Sequence, residues 1–224
     1  SNIKNKEKKI KHEPSLENLP NKHTRVIIDF ESGERMFFND IRKFGWIKIV
    51  KNPNSKIQIS KKYQISNSKY NIPTLQSITN RLGPDPLNEL TIQHFRQILK
   101  QSRQPIKLLL MDQSKIAGVG NIYANDALFL SRIHPKTPAN KLLDGQMVKL
   151  FESLLKVLQE GLRWKGASKT NFVDVFGQKG SMQEHFYVYG GEGEKCPNQC
   201  GGKIEKMNLG GRGTFYCRKC QSLK

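Results

Sequence analysis

The sequence predicts an α+β chain: antiparallel strands come first, four or five helices follow, and a small metal-stapled hairpin closes it. Three observations carry this expectation. Val26, Ile28 and Phe30 alternate with Arg25 and Asp29, the period of a half-buried strand. Apolar residues at 92, 95, 98 and 99, and again at 147, 150, 151, 154 and 158, fall at helical spacing. All four cysteines lie between Cys196 and Cys220.

In chain order, residues 1–22 carry two prolines, many lysines and no apolar period, and read as a loop or frayed end. "TRVIIDF", "RMFFND" and "GWIKIV" are strand candidates, the first two joined by the turn "ESGE". The Asn-, Ser- and Lys-rich stretch 52–81 reads as an irregular connection, with a short strand around Ile57–Ile59. "LGPDPL" leads into helical sequence, where Thr91 is placed to cap "IQHFRQILKQS". "PIKLLLMDQ" predicts a short helix with Pro105 in its first turn. "GVGNIYANDALFLSRI" is a glycine turn running into a helix that carries Ile122, Ala127, Leu128 and Leu130. "GQMVKLFESLLKVLQEGLRW" is the strongest helix, with Met147, Leu150, Phe151, Leu154 and Leu158 on one stripe. A Gly-rich polar loop, "KGASKTNFVDVFGQKGSMQEHF", separates it from the cysteine segment.

The 224 residues hold 38 Lys and Arg against 19 Asp and Glu, a net charge of +19. Such an excess attracts polyanions, nucleic acid above all, although a lysine-rich composition in loops is the competing explanation. No run of 18 apolar residues occurs, which excludes a membrane-spanning helix, and no apolar segment near Ser1 suggests a secretion signal. The expected location is cytoplasmic.

Cys196 and Cys200 form one pair and Cys217 and Cys220 another. Thiolates at these spacings complete a tetrahedral site for one structural Zn²⁺, with no open position for water. Two disulfides are the alternative, disfavoured by the lack of a secretion signal and of any other cysteine. Three residues separate the first pair where two is the commoner spacing. The strands "GGKIEKM" and "GTFYC" flank the tip "LGGRGT", where Arg212 is placed for bidentate contact with phosphate. Gly118, Gly120 and Asn121 open a helix, whose free N–H groups and dipole suit a phosphate, and Lys107 is placed to approach the same one.

With these motifs in order, the chain resembles the formamidopyrimidine-DNA glycosylase family, which also includes endonuclease VIII. "PIKLLLMDQSKIAGVGNIYANDALFLSRIHP" is similar to its helix-two-turn-helix segment, "DIRKFG" to a strand-loop, "GASKTNFVDVFGQKGSMQEHFYVYG" to the segment carrying its base-recognition loop, and the cysteine hairpin to its zinc finger. The resemblance implies a remnant of the N-terminal β-sandwich catalytic domain (1–51), a connection (52–81), a helix-two-turn-helix DNA-binding domain with the lesion-recognition loop (82–185) and a zinc-finger hairpin (186–224). It implies excision of oxidised purines from double-stranded damaged DNA, followed by β,δ-elimination at the abasic site.

Residue by residue, the resemblance gives Lys107, Asn121 and Arg212 to the phosphates flanking the lesion, with Gly120 in the same turn. Arg212 also takes the catalytic role of proton donor in δ-elimination. Arg42 contacts the orphaned cytosine, Phe44 is the wedge filling the gap left by the flipped base, and His23 contacts DNA. Ser102 stands where a DNA-contacting Lys is frequent, with Arg103 beside it as the substitute. Asp126 stands where Glu is usual and Gly191 where Arg is frequent.

The family's nucleophile is the amine of an N-terminal Pro followed by Glu, and neither has a counterpart here. The expectation is therefore a C-terminal fragment, monomeric, that grips DNA without catalysis. A non-catalytic damaged-DNA binder and an RNA-binding zinc-hairpin module are the alternatives.

Overall fold

The computed structural model describes residues 19–40, 43, 45, 47, 81–168 and 178–223. Arg42, Phe44, the connection to residue 80 and the centre of the polar loop lie outside the described residues, as do Ile57–Ile59.

Strands β1 (Thr24–Asp29) and β2 (Arg35–Asn39) pair antiparallel, with Val26 opposite Phe38 and Ile28 opposite Met36. An exposed Asp29–Arg35 pair at 2.7 Å closes the far end. Gly45 and Ile47 of the third strand candidate are described and are not in a strand; its other residues lie outside the described set. Among the described residues this ribbon leaves Val26, Ile27, Phe30 and Met36 exposed.

Four α-helices follow among the described residues. Helix α1 (Ile92–Lys100) starts where Thr91 accepts the His94 amide at 3.2 Å, as its sequence predicts, and buries Phe95 and Leu99. Helix α2 (Ile106–Leu110) has Pro105 as its cap instead of inside its first turn. Either position suits a residue with no N–H to satisfy. Helix α3 (Asn121–Leu130) is buried on every side from Ala124 to Phe129, while Ile122 and Leu130 are only half-buried. The helix is central to the bundle.

Helix α4 (Asp144–Arg163) buries Met147, Leu150, Leu154, Val157 and Leu158, and Phe151 tilts against Phe95 with ring centres 5.3 Å apart. At Gly161 a methyl group would collide with the Tyr123 hydroxyl, so glycine lets α3 and α4 meet. Each large apolar side chain so buried stabilises the bundle by roughly 1.5–3 kcal/mol. Among the described residues no helix is long and apolar enough to cross a membrane.

Strands β3 (Ile204–Leu209) and β4 (Arg212–Cys217) form the terminal hairpin, in register from Ile204–Cys217 to Leu209–Arg212. Gly210 and Gly211 make the two-residue turn with φ of 59° and 72°, the left-handed pair that tight hairpins require. A second core of Val188, Ile204, Phe215 and two cysteines closes over Phe129 of α3, so the hairpin is seated on the bundle.

Candidate nucleic-acid interface and metal centre

The four cysteine sulfurs lie within 4.8 Å of one another, with Cys196–Cys220 at 3.7 Å and Cys200–Cys217 at 3.6 Å. A disulfide needs about 2.05 Å. Zn–S bonds of about 2.3 Å in a tetrahedron place sulfurs roughly 3.8 Å apart. The separations fit one structural zinc held by Cys196, Cys200, Cys217 and Cys220, and not two disulfides.

The longer first knuckle is absorbed by the backbone: Gln199 adopts φ 52° and Gly201 φ 72°. A methyl group on Gly202 would stand 2.9 Å from the Cys217 sulfur, and the Gly202 amide points to the Cys200 sulfur at 3.4 Å. That amide draws the Cys200 thiol down to about 7, whereas burial pushes Cys196 up to about 12. A divalent cation displaces the protons of all four.

The glycine turn before α3 is built by Gln113. Its side-chain oxygen accepts the Gly118 amide at 2.9 Å, and its nitrogen donates to the Val119 carbonyl at 2.9 Å. Gly118 has φ 77°, Val119 is buried, and Gly120 caps α3 in an extended conformation without a side-chain bond. The first amides of α3 are left for an outside acceptor.

The hairpin tip meets this turn at a polar joint. Lys107 is fully buried, and its ammonium donates to Thr214 Oγ1 at 2.6 Å and to the Gly213 carbonyl at 3.2 Å. Asn121 Nδ2 donates to the same carbonyl at 3.1 Å, while its Oδ1 is buried without a partner among the described residues. One residue away, the exposed Arg212 has no carboxylate partner among the described residues. Burial, then the Arg212 charge, lowers the Lys107 pKa to about 8. Two cations without a counter-charge among the described residues give the joint a charge that suits an anion.

Around the seat, buried polar side chains lock the hairpin to the helices. Asn125 accepts the Phe215 amide at 3.0 Å and donates to the Asn121 carbonyl at 2.7 Å. Gln221 accepts the Cys217 amide and donates to the Ile133 carbonyl, both at 2.9 Å. The Asp126 carboxylate takes the amides of Val188, Tyr187 and Tyr189 at 3.0, 3.2 and 3.3 Å. Burial pushes this carboxyl up to about 6, against the pull of those amides and with a further push from Glu160.

The structure thus brings together Lys107, Gly120, Asn121 and Arg212, next to the cysteine-bound hairpin. Arg103 is exposed on the α1–α2 connection, and His23, before β1, bonds through its amide to Asn21 Oδ1 at 2.9 Å. Neither bonds to the joint. Gln113, Asn125, Thr214 and Gln221 were not singled out from sequence. The available signal for Asn125 was its polarity inside the apolar run "NIYANDALFL".

Comparison with known proteins is consistent with this geometry. Residues 82–173 match the formamidopyrimidine-DNA glycosylase H2TH domain, and residues 193–223 the zinc finger found in FPG and IleRS. The chain is 37% identical over 201 residues to the formamidopyrimidine-DNA glycosylase of Chloroflexus aurantiacus, covering 89% of this chain and 65% of that protein. It is 37% identical over 206 residues to that of Pelotomaculum thermopropionicum, covering 92% and 68%. It therefore spans about two thirds of the length of these relatives. The MutM (Fpg) crystal structure from Thermus thermophilus superposes with a TM-score of 0.75 at 34% identity, over 92% of this chain and 71% of that one. The Lactococcus lactis Fpg in complex with DNA containing an abasic site gives 0.73 at 30% identity, over 93% and 70%.

Proposed function

The chain belongs to the formamidopyrimidine-DNA glycosylase family, and from that premise we propose that it serves base-excision repair of DNA in the cytoplasm. The activity is that of a glycosylase and abasic-site lyase that removes oxidised purines and nicks the strand by β,δ-elimination. One observation supports this most: the buried Lys107 ammonium lies within electrostatic reach of the Arg212 guanidinium, and neither has a carboxylate partner among the described residues. A DNA phosphate supplies the missing charge, and the Asn121 amide and the free N–H groups after Gly120 add donors from the second side. Held there, Arg212 is placed to give a proton to the departing phosphate in the second elimination. Arg42, Phe44, His23 and Arg103 are assigned the remaining contacts with the opened duplex.

The zinc takes no part in bond breaking; bound by four thiolates, it fixes the hairpin that carries Arg212. No residue of this sequence matches the amine-bearing Pro-Glu pair of the family. For this polypeptide of 224 residues alone we therefore propose grip without excision.

The test is a titration of the purified chain with duplexes that contain a stable abasic analogue, at several salt concentrations. Log affinity should fall linearly with log salt, because each neutralised phosphate releases about 0.9 counterion. Affinity indifferent to salt, or a preference for single-stranded RNA, refutes the grip. Borohydride treatment with an 8-oxoguanine duplex should trap no adduct, and a covalent product overturns the catalytic silence.

A further inference from the structure

We propose that Thr214 is a positioning residue whose hydroxyl sets Arg212 and Lys107 into one phosphate-holding pair; this rests on the reading of that pair as a DNA seat. Arg212 is exposed, directly follows the two-residue turn and has no ion pair among the described residues. Something other than a counter-charge must fix the backbone that carries it.

Thr214, two residues on and fully buried, is placed to do so. Its oxygen accepts from the Lys107 ammonium at 2.6 Å, and it lies 3.2 Å from the Arg212 carbonyl. An ammonium has only protons to give, so the hydroxyl must accept from it and spend its own proton on the carbonyl. The direction of both bonds is fixed, and one side chain ties the Lys107 ammonium to the backbone that carries Arg212.

The hydroxyl also matters for the charge of Lys107. Burial and the neighbouring guanidinium both disfavour the protonated amine. The Thr214 oxygen offsets them, alongside the Gly213 carbonyl that Asn121 also uses. Valine keeps the shape and lacks the oxygen, leaving the ammonium with that one shared carbonyl.

The test compares the native chain, Thr214→Val, Thr214→Ser and Arg212→Ala for binding to an abasic-analogue duplex between pH 7 and 9.5, with zinc content and thermal stability measured on each. Thr214→Val should keep its zinc, bind roughly tenfold more weakly, as befits a lost hydrogen bond to a charged group, and lose affinity at a lower pH than the native chain. Thr214→Ser should restore most of the affinity and the native pH profile. Native-like binding by Thr214→Val, a Thr214→Ser variant as weak as Thr214→Val, or loss of zinc from Thr214→Val each overturns the proposal. Failure of the native chain to bind, or Arg212→Ala binding as well as native, instead brings down the reading of the seat, and the proposal with it.

Discussion

The two ends of the terminal hairpin are held by different means. At the cysteine end the metal ligands are local, spanning a separation of 24 residues with Gly202 and the left-handed Gln199 between them, and one long-range bond, from Gln221 to the Ile133 carbonyl, ties that end to the helices. At the arginine end the fixing groups come from α2 and α3, 90 to 107 residues away in sequence. A metal can stiffen a hairpin, but it cannot aim it. The backbone that carries Arg212 is held by helices that reach the hairpin through Lys107, Asn121 and Asn125. Stiffness and aim are separable properties here, and they should fail separately.

The sharpest separation comes from Cys217→Ser. Cys217 is a ligand, is fully buried and belongs to the small core over Phe129. The variant should lose its zinc and the order of the hairpin, and duplex affinity should drop roughly a hundredfold or more, since structural zinc contributes on the order of 10 kcal/mol to folding. Zinc assay, near-ultraviolet circular dichroism and a binding titration follow it, and undiminished affinity would break the comparison at its metal end.

Arg212→Ala should do the converse: zinc content and stability within about 0.5 kcal/mol of native, as at other exposed sites, with affinity down roughly tenfold. In a family member that carries the nucleophilic Pro, the same change should impair nicking. Unaltered nicking there refutes the role of Arg212.

The smallest effect is a pH dependence. The Lys107 pKa is lowered to about 8 in the folded chain, from 10.5. The unfolded chain thus binds more protons between pH 8 and 10.5, and stability of the free protein should rise across that window. DNA binding runs the other way, because a phosphate favours the charged amine. Affinity should weaken as pH climbs past 8, by up to roughly tenfold per unit. Lys107→Met should flatten both profiles, in chemical denaturation and in titration respectively.

Much of this site was legible in the sequence because its signals are short-range. Cysteine spacing, the glycines of "GVGN" and the arginine after "GG" each declare themselves within a few residues. The joint did not, because its bonds run between segments that only the fold brings together. Nothing near Thr214 in "RGTFYC" announces that an ammonium from α2 will rest on its hydroxyl. Asp126 drew notice as shorter than the usual Glu, yet its bonds to three amides at 187–189 follow from α3 being central. For the same reason α3 shows no stripe: a helix wrapped by partners has no polar side to mark its period. Lys107 was expected to reach a phosphate directly, whereas its first partners are hairpin oxygens.

The Gly210–Gly211 turn leaves Leu209 opposite Arg212 and fixes the pairing down to Cys217. Side chains along a strand point alternately to either side, so Arg212 and Thr214 share one side while Phe215 and Cys217 share the other. The distance from metal ligand to guanidinium therefore has a parity as well as a length. Losing or gaining one residue between them, with no bulge to absorb it, would swing the cation round to the core side.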